Sequence, residues 1–315
     1  MKKNESEIQV HLMGKGKFEG WYFRISDRKV SLAVIVGMSE SMAFIQTIDT
    51  YTNQSQMIEY DLEEFEYGDN PFYVKIRDNY FTKEMMILNL DQGMIKIKGE
   101  IENESFTPLK STLYAPTIMG PFHYIPKMEC NHGIISLLHR VKGRLMINHQ
   151  KIKINGIGYI EKDWGYSFPK DYLWLQSNDC NQCEASLFLA IAKIPIKIIS
   201  FTGIIMVLMI EGKQQVIASY YGAYLKRWLV KDGNYYLNIK QYPYNFYIKI
   251  IPENSCLLKA PQLGMMSDEV KESLTSKITV LIYKHHKRIE KLNFIACGVE
   301  LFGGFNNVKK QEVDT

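Results

Sequence analysis

The chain has 315 residues, 46% hydrophobic and 23% charged, with a formal net charge of +4. A chain of this length buries a core without disulfides or a metal, and its composition excludes disorder, collagen, a coiled coil and a disulfide scaffold. Its 38 basic and 34 acidic residues are interspersed, which argues against nucleic acid as a partner.

The five cysteines, an odd number at irregular spacing, read as free thiols in a reducing cytoplasm. The start, Met1-Lys2-Lys3-Asn4-Glu5-Ser6, leads into no apolar run of the signal-peptide kind. The aromatic content is the unusual entry, with Tyr 20, Phe 15 and Trp 4.

Taken in chain order, period-2 patterns dominate. Trp21–Ile25 and Val30–Val36 flank the turn Ser26–Lys29 and predict a hairpin. Ala43–Thr50, Met57–Leu62, Phe72–Ile76, Glu84–Leu90 and Met94–Ile101 follow as strands, separated by turn clusters such as Gly68-Asp69-Asn70-Pro71. Residues 106–128 change character: Pro108, Pro116, Gly120, Pro121 and Pro126 break regular structure, so this stretch reads as a crossover between two domains. Strands resume at Gly133–Val141, Arg144–Ile147, Lys151–Ile154, Gly156–Glu161 and Tyr172–Gln176.

Leu187–Ile210 is apolar enough to suggest a membrane span, but Lys193, Pro195, Lys197, Ser200 and Gly203 interrupt it. It reads as two buried strands joined near Lys193–Lys197. Gln214–Tyr221, Tyr224–Val230, Tyr235–Tyr242 and Phe246–Ile251 continue the series, with Lys231-Asp232-Gly233-Asn234 as a hairpin turn. One short helix is expected over Ser267–Ser276, capped by Ser267, with Asp268 and Glu269 in its first turn and Val270 and Leu274 sharing a face. Ile278–Tyr283 and Lys291–Leu301 return to strand. The expected fold is all-β: two antiparallel β-barrel or sandwich domains, an N-terminal one over 1–125 and a C-terminal one over 126–315, with one short helix.

HExxH, GxSxG, a Walker loop and a paired CxxC are absent from the sequence. Cys180-Asn181-Gln182-Cys183 is a lone CxxC without two further zinc ligands, and reads as two free thiols in a loop. His285 and His286 read as solvated residues of an exposed turn.

Four clusters place aromatic and ionisable residues side by side. They are Phe18–Phe23, Gly120–His123 with Met128–Gly133, Gly158–Gly165 continuing to Trp174–Asn178, and Ser219–Ala223. FEGWYFRI, GPFHYIPKMECNHG, GYIEKDWGYSFP, YLWLQSN and FTGIIMVLMIEGK together resemble the tocopherol cyclase family in order from about residue 18 to 225, and LKAPQLGMM extends the match. More remotely, the GY…WG element is similar to that of the carotenoid hydratases and lipocalin-like Diels–Alderases. The resemblance implies a lipocalin-like fold, an apolar cavity where two domains meet, and cofactor-free cyclisation of a prenylated quinol to a chromanol.

That chemistry needs an acid to protonate a trisubstituted alkene, and a phenol oxygen to capture the resulting tertiary cation. If water captures it first, the enzyme is a hydratase. A chain that kept the cavity and lost the acid would be a carrier of apolar small molecules.

Asp163, beside Trp164 in an otherwise apolar motif, is the first candidate acid, because burial among aromatic walls disfavours the anion. Glu129 and His132 are the second catalytic candidates, as a pair that holds the phenol or takes its proton. Trp21, Trp164 and Trp174 offer π faces to a cation, and Gln176, Asn178 and Tyr221 offer polar atoms to ring oxygens.

Plainer readings stand beside these. Trp21 and Trp174 are core residues in β proteins more often than ligands. Asp163 suits a turn or a salt bridge, Glu19 suits an ion pair with Lys17, and His132 and His139 suit hydrogen-bonded core positions. No metal and no cofactor are expected. The expected partner is an apolar isoprenoid lipid, with a peripheral membrane contact allowed.

Overall fold

A computed structural model describes residues 8–11, 16–27, 29–126, 128–196 and 199–306. The chain divides into two compact units: Met1–Phe168 with Leu257–Glu269, and Pro169–Cys256 with Val270–Thr315.

The first unit begins with a meander of β1 (Phe18–Ser26), β2 (Ser31–Met38), β3 (Ala43–Asp49) and β4 (Gln54–Tyr60). It continues through β5 (Phe65–Asp69), β6 (Phe72–Ile76), β7 (Asn79–Phe81), β8 (Met85–Leu90) and β9 (Ile97–Thr107). The long hairpin of β10 (Cys130–Ile147) and β11 (Gln150–Gly165) completes it. The proline-rich stretch lies inside this unit, joining β9 to β10, which are neighbours in one sheet.

The strand order is β4-β3-β2-β1-β11-β10-β9-β8-β7-β6-β5. Its two edge strands, β4 and β5, are consecutive in the chain and joined only by residues 61–64. A link that short forces the sheet to curl until its edges approach, giving a nearly closed, barrel-like sheet. A side chain also ties the β4 edge to the turn between β8 and β9. Gln56 on β4 donates to the Ile95 carbonyl at 2.7 Å and accepts from the Ile95 amide at 2.9 Å. Trp21, Phe23, Val34, Ile45, Phe81 and Ile160 are among the residues of its core.

The second unit repeats the plan. Its strands are β12 (Tyr172–Ser177), β13 (Asp179–Cys180), β14 (Ala185–Ile196), β15 (Ile199–Ile210) and β16 (Lys213–Ala218), then β17 (Tyr224–Lys231), β18 (Asn234–Gln241), β19 (Tyr244–Ile251), most of β21 (Met265–Lys284) and β22 (Lys287–Phe302). The main path is β16-β15-β14-β12-β22-β21-β19-β18-β17, and the edges β16 and β17 are again chain neighbours. Gln241 on β18 bonds to the Ala218 amide at 2.9 Å and the Val216 carbonyl at 3.2 Å. Leu175, Leu189, Met206, Ile248 and Phe294 lie in its separate core.

The apolar stretch at 187–210 forms β14 and β15 as the pattern predicts, and the two residues between them lie outside the described set. The remaining strand, β20 (Ser255–Gln262), pairs with β21. The tip of that hairpin belongs to the first unit. Gln46 on β3 holds it by two bonds to the Lys259 backbone, at 3.1 and 2.6 Å.

The all-β, lipocalin-like expectation holds, with two corrections. First, Ser267–Ser276 is strand, not helix, and the described residues contain no α-helix. Val270 and Leu274 are both buried, but a spacing of four is even and shares a face in a strand as well as in a helix. The alternation that continues through Ile278, Val280 and Ile282 decides the period. Second, β10 and β11 are each one long strand, where the pattern predicts two apiece, Gly133–Val141 with Arg144–Ile147 and Lys151–Ile154 with Gly156–Glu161. A Cβ on Gly143 would stand 2.1 Å from the Glu100 carbonyl oxygen, and one on Gly156 2.1 Å from that of Ser26. These glycines admit close backbone approach inside a strand rather than ending it.

Candidate functional site

The motif Gly158–Gly165 lies on β11, where side chains alternate between two faces. Ile160, Lys162 and Trp164 share the face that carries the barrel core. Tyr159, Glu161 and Asp163 share the other. Strand β10 runs antiparallel beside them and sets His132 opposite Asp163 and Ile134 opposite Glu161.

His132 is consequently bracketed. Its Nδ1 lies 2.8 Å from Asp163 Oδ1, and its Nε2 lies 3.4 Å from Glu161 Oε2. The Tyr159 hydroxyl donates to Glu161 Oε2 at 2.6 Å. His132 and Glu161 are buried, whereas the Asp163 side chain is 21% exposed. Burial first, and then the charge of Glu161, push the Tyr159 phenol well above its ordinary range, so it stays a donor. Cys130 Sγ points to Asp163 Oδ1 at 3.9 Å. Burial and that carboxylate push its thiol well up, which keeps it neutral.

An imidazole with a carboxylate on each nitrogen is a proton store. Asp163 fixes the orientation of the ring, and Nε2 can exchange a proton on the Glu161 side. His132, Glu161 and Asp163 also bring donor atoms within 4.8 Å of one another, as a three-ligand metal site would. A metal needs both carboxylates gathered on one ring nitrogen. Each carboxylate here takes a different nitrogen, which suits proton sharing better.

The expected residues separate into groups. His132 and Asp163 are brought together. Asp163 is not walled by Trp164, because adjacent strand residues face opposite ways. The Trp164 ring instead stacks on His11, with centroids 4.2 Å apart and planes at 6°. Trp21 is fully buried, donates to the Ile8 carbonyl at 2.8 Å and packs on Phe72, which is the core role. Glu129 stands just before β10, where its carbonyl accepts from the Tyr166 and Ser167 amides at 2.8 and 3.2 Å.

Trp174, Gln176 and Asn178 belong to the second unit and are buried. The first two share the face of β12 opposite its core residues Leu173 and Leu175. Gln176 Nε2 donates to Asn178 Oδ1 at 2.8 Å. Tyr221, 42% exposed, sits in the turn between β16 and β17. Glu161 and Tyr159 join the cluster of His132 and Asp163 without standing among the expected site residues. Their signal was the even spacing back from Asp163 along one strand.

On the core face a second buried cluster appears. Lys162 and Glu19, both wholly buried, form an ion pair. Lys162 also donates to the Gln9 carbonyl and to His11 Nδ1, and its ammonium lies 4.6 Å from the Trp21 ring and 5.1 Å from that of Trp164. With Nδ1 accepting from Lys162, the 3.3 Å approach of Nδ1 to Glu19 is a contact rather than a hydrogen bond. The His11 amide donates to Glu19 Oε1 at 2.7 Å. Glu19 thus pairs with Lys162, while Lys17 lies 5.7 Å from the Tyr166 ring.

His139 takes the structural role expected of it. It is buried, its Nδ1 lies 3.1 Å from Ser136 Oγ, and burial followed by the Lys83 charge lowers its pKa from 6.5 to about 3. The unfolded chain therefore binds a proton that the fold excludes. The stability contributed is complete above about pH 6.5 and is lost as pH falls toward about 3. Going from pH 7 to pH 5 costs about 2 kcal/mol through this residue. His139→Asn should flatten that part of the urea-unfolding profile, and an unchanged slope would remove His139 as its source.

No protein-family model matches the chain. No curated protein matches it either, so the resemblance to the tocopherol cyclases rests on its motifs. Solved structures do match. An AttH-type protein of Nitrosomonas europaea superposes with TM-score 0.54 at 10% identity, over 90% of this chain and 92% of that one. Kievitone hydratase of Nectria haematococca gives 0.52 at 11%, over 96% and 93%. CghA, in complex with Sch210972, gives 0.54 at 10%, over 91% and 88%. The chain shares their fold over nearly its whole length.

Proposed function

We propose that the protein is a cofactor-free acid–base enzyme that protonates an alkene of an apolar, isoprenoid-bearing substrate. The observation that carries this reading is the imidazole of His132 held between Asp163 and Glu161. Protonation of a trisubstituted alkene creates a tertiary cation, and the outcome depends on what captures it. Water gives a tertiary alcohol and returns a proton to the base. An internal phenol gives a chromanol.

Hydration is the better-supported outcome. It needs a proton delivered and another removed from water, and two carboxylates sharing one ring serve both steps. Asp163, 21% exposed, is within reach of water, whereas cyclisation requires that water be kept out. A fold shared with a protein named kievitone hydratase supports the same direction, and the cyclase-like motifs support the alternative.

The test is incubation with a geranylgeranyl quinol in water labelled with heavy oxygen. An alcohol carrying the label is the expected product. An unlabelled chromanol would make the protein a cyclase. Binding of the quinol without any conversion would sink the enzyme reading for that substrate class and leave a carrier.

A further inference from the structure

We propose that the segment joining β9 to β10 is a docking surface for an anionic lipid bilayer. From Ser105 to Met128 the chain holds no Asp or Glu, although the protein has 34 of them, and its charged side chains are Lys110 and Lys127. His123 adds no charge at neutral pH, since burial and the nearby His11 lower its pKa.

Within the described part of this stretch, large apolar side chains face solvent. Leu113 is 78% exposed, Tyr114 53%, Tyr124 62% and Ile125 47%. The two tips that carry them are built rather than loose. The Thr112 amide donates to the Ala115 carbonyl, and the Ala115 amide to Thr112 Oγ1, each at 2.9 Å, closing a turn around Leu113 and Tyr114. The Tyr124 hydroxyl donates to the Leu113 carbonyl at 2.8 Å and ties the second tip to the first. Leu109, Ile118 and Gly120 anchor the segment as buried residues.

Exposing four such side chains together costs free energy in water, and a monomeric protein keeps such patches for a partner. Tyrosines and aliphatic tips that enter the headgroup region, in a stretch whose exposed Lys110 has no acidic residue within five positions on either side, match an anionic bilayer in both polarity and charge. This surface stands independently of the acid–base site.

The test is flotation of the full chain with vesicles of phosphatidylcholine alone or mixed with phosphatidylglycerol. The wild type should float with the mixed vesicles and be released as salt rises. Leu113→Asp combined with Ile125→Asp should lower the bound fraction by about tenfold or more. Because both residues are exposed, the melting midpoint should not move. Tyr242→Asp, at an 89% exposed position in a different turn, should bind as the wild type does. Wild-type protein that ignores both vesicle types would overturn the proposal, as would a double variant that floats unchanged. Self-association in solution that the double variant abolishes, with no vesicle binding, would assign the patch to a second copy of the chain and also overturn it.

Discussion

His132→Ala should lower turnover of an accepted substrate by about 10²- to 10⁴-fold, the contribution typical of a positioned acid–base group. Binding of an apolar substrate should change little, because the imidazole supplies a proton rather than apolar contact area. Asp163→Asn should fall in the same range for a different reason. Asp163 accepts from His132 Nδ1 at 2.8 Å and so decides which nitrogen carries the proton. An amide there can present its NH₂ to Nδ1 and stabilise the opposite tautomer, leaving the ring in place with its proton on the wrong side.

Glu161→Gln tests the other end of the group. It keeps an acceptor for the Tyr159 hydroxyl but removes the charge facing Nε2. If Glu161 takes up the proton released by water, this variant loses kcat with KM nearly unchanged. All three proteins should be compared by melting first, since His132 and Glu161 are buried. Full turnover in both the His132 and the Asp163 variants would remove this cluster from the chemistry.

Much of this was legible from residue order, and its limits are physical. Period-2 patterning located most strands because each barrel wall has one apolar face. It failed where one spacing serves two periods, as with Val270 and Leu274. It also split β10 and β11 into two strands each, because the apolar alternation lapses near Gly143 and Gly156, where the missing Cβ admits a neighbouring backbone. Closure of the first sheet depends on β4 and β5 being its edges, which follows from β1 pairing with β11, a long-range choice that local pattern does not encode.

The candidate site divides in the same way. His132 and Asp163 could be singled out as chemical types in neighbouring motifs, yet their meeting depends on the register of β10 with β11. Glu161 and Tyr159 were implicit in the alternation before Asp163. The partner of Glu19 was not legible. Register places Trp21 opposite Lys162, and so Glu19 beside it, from a strand far away in the chain.

That buried pair carries the largest expected effect on stability. Lys162→Met should destabilise the fold by about 3–5 kcal/mol, because it leaves the carboxylate of Glu19 buried with its main countercharge gone. The amide of His11 remains as a donor to Glu19, but one neutral donor does not replace an ammonium. Glu19→Gln should cost less, about 1–3 kcal/mol, since Lys162 would keep the Gln9 carbonyl, His11 Nδ1 and the faces of Trp21 and Trp164.

Combining Lys162→Met with Glu19→Leu should recover a large part of the loss. Two apolar side chains would then sit among tryptophans in a region that already belongs to the core. Urea unfolding of the wild type, both Lys162→Met and Glu19→Leu single variants and the double variant gives the coupling directly. Additive losses would mean that the two charges do not depend on each other, and that the ion pair is not what holds β1 against β11. Strong coupling would place the stability of this strand pair on the core face of β11, directly behind the residues that hold His132. The acid–base group could then be altered from its own face without unfolding the wall on which it stands.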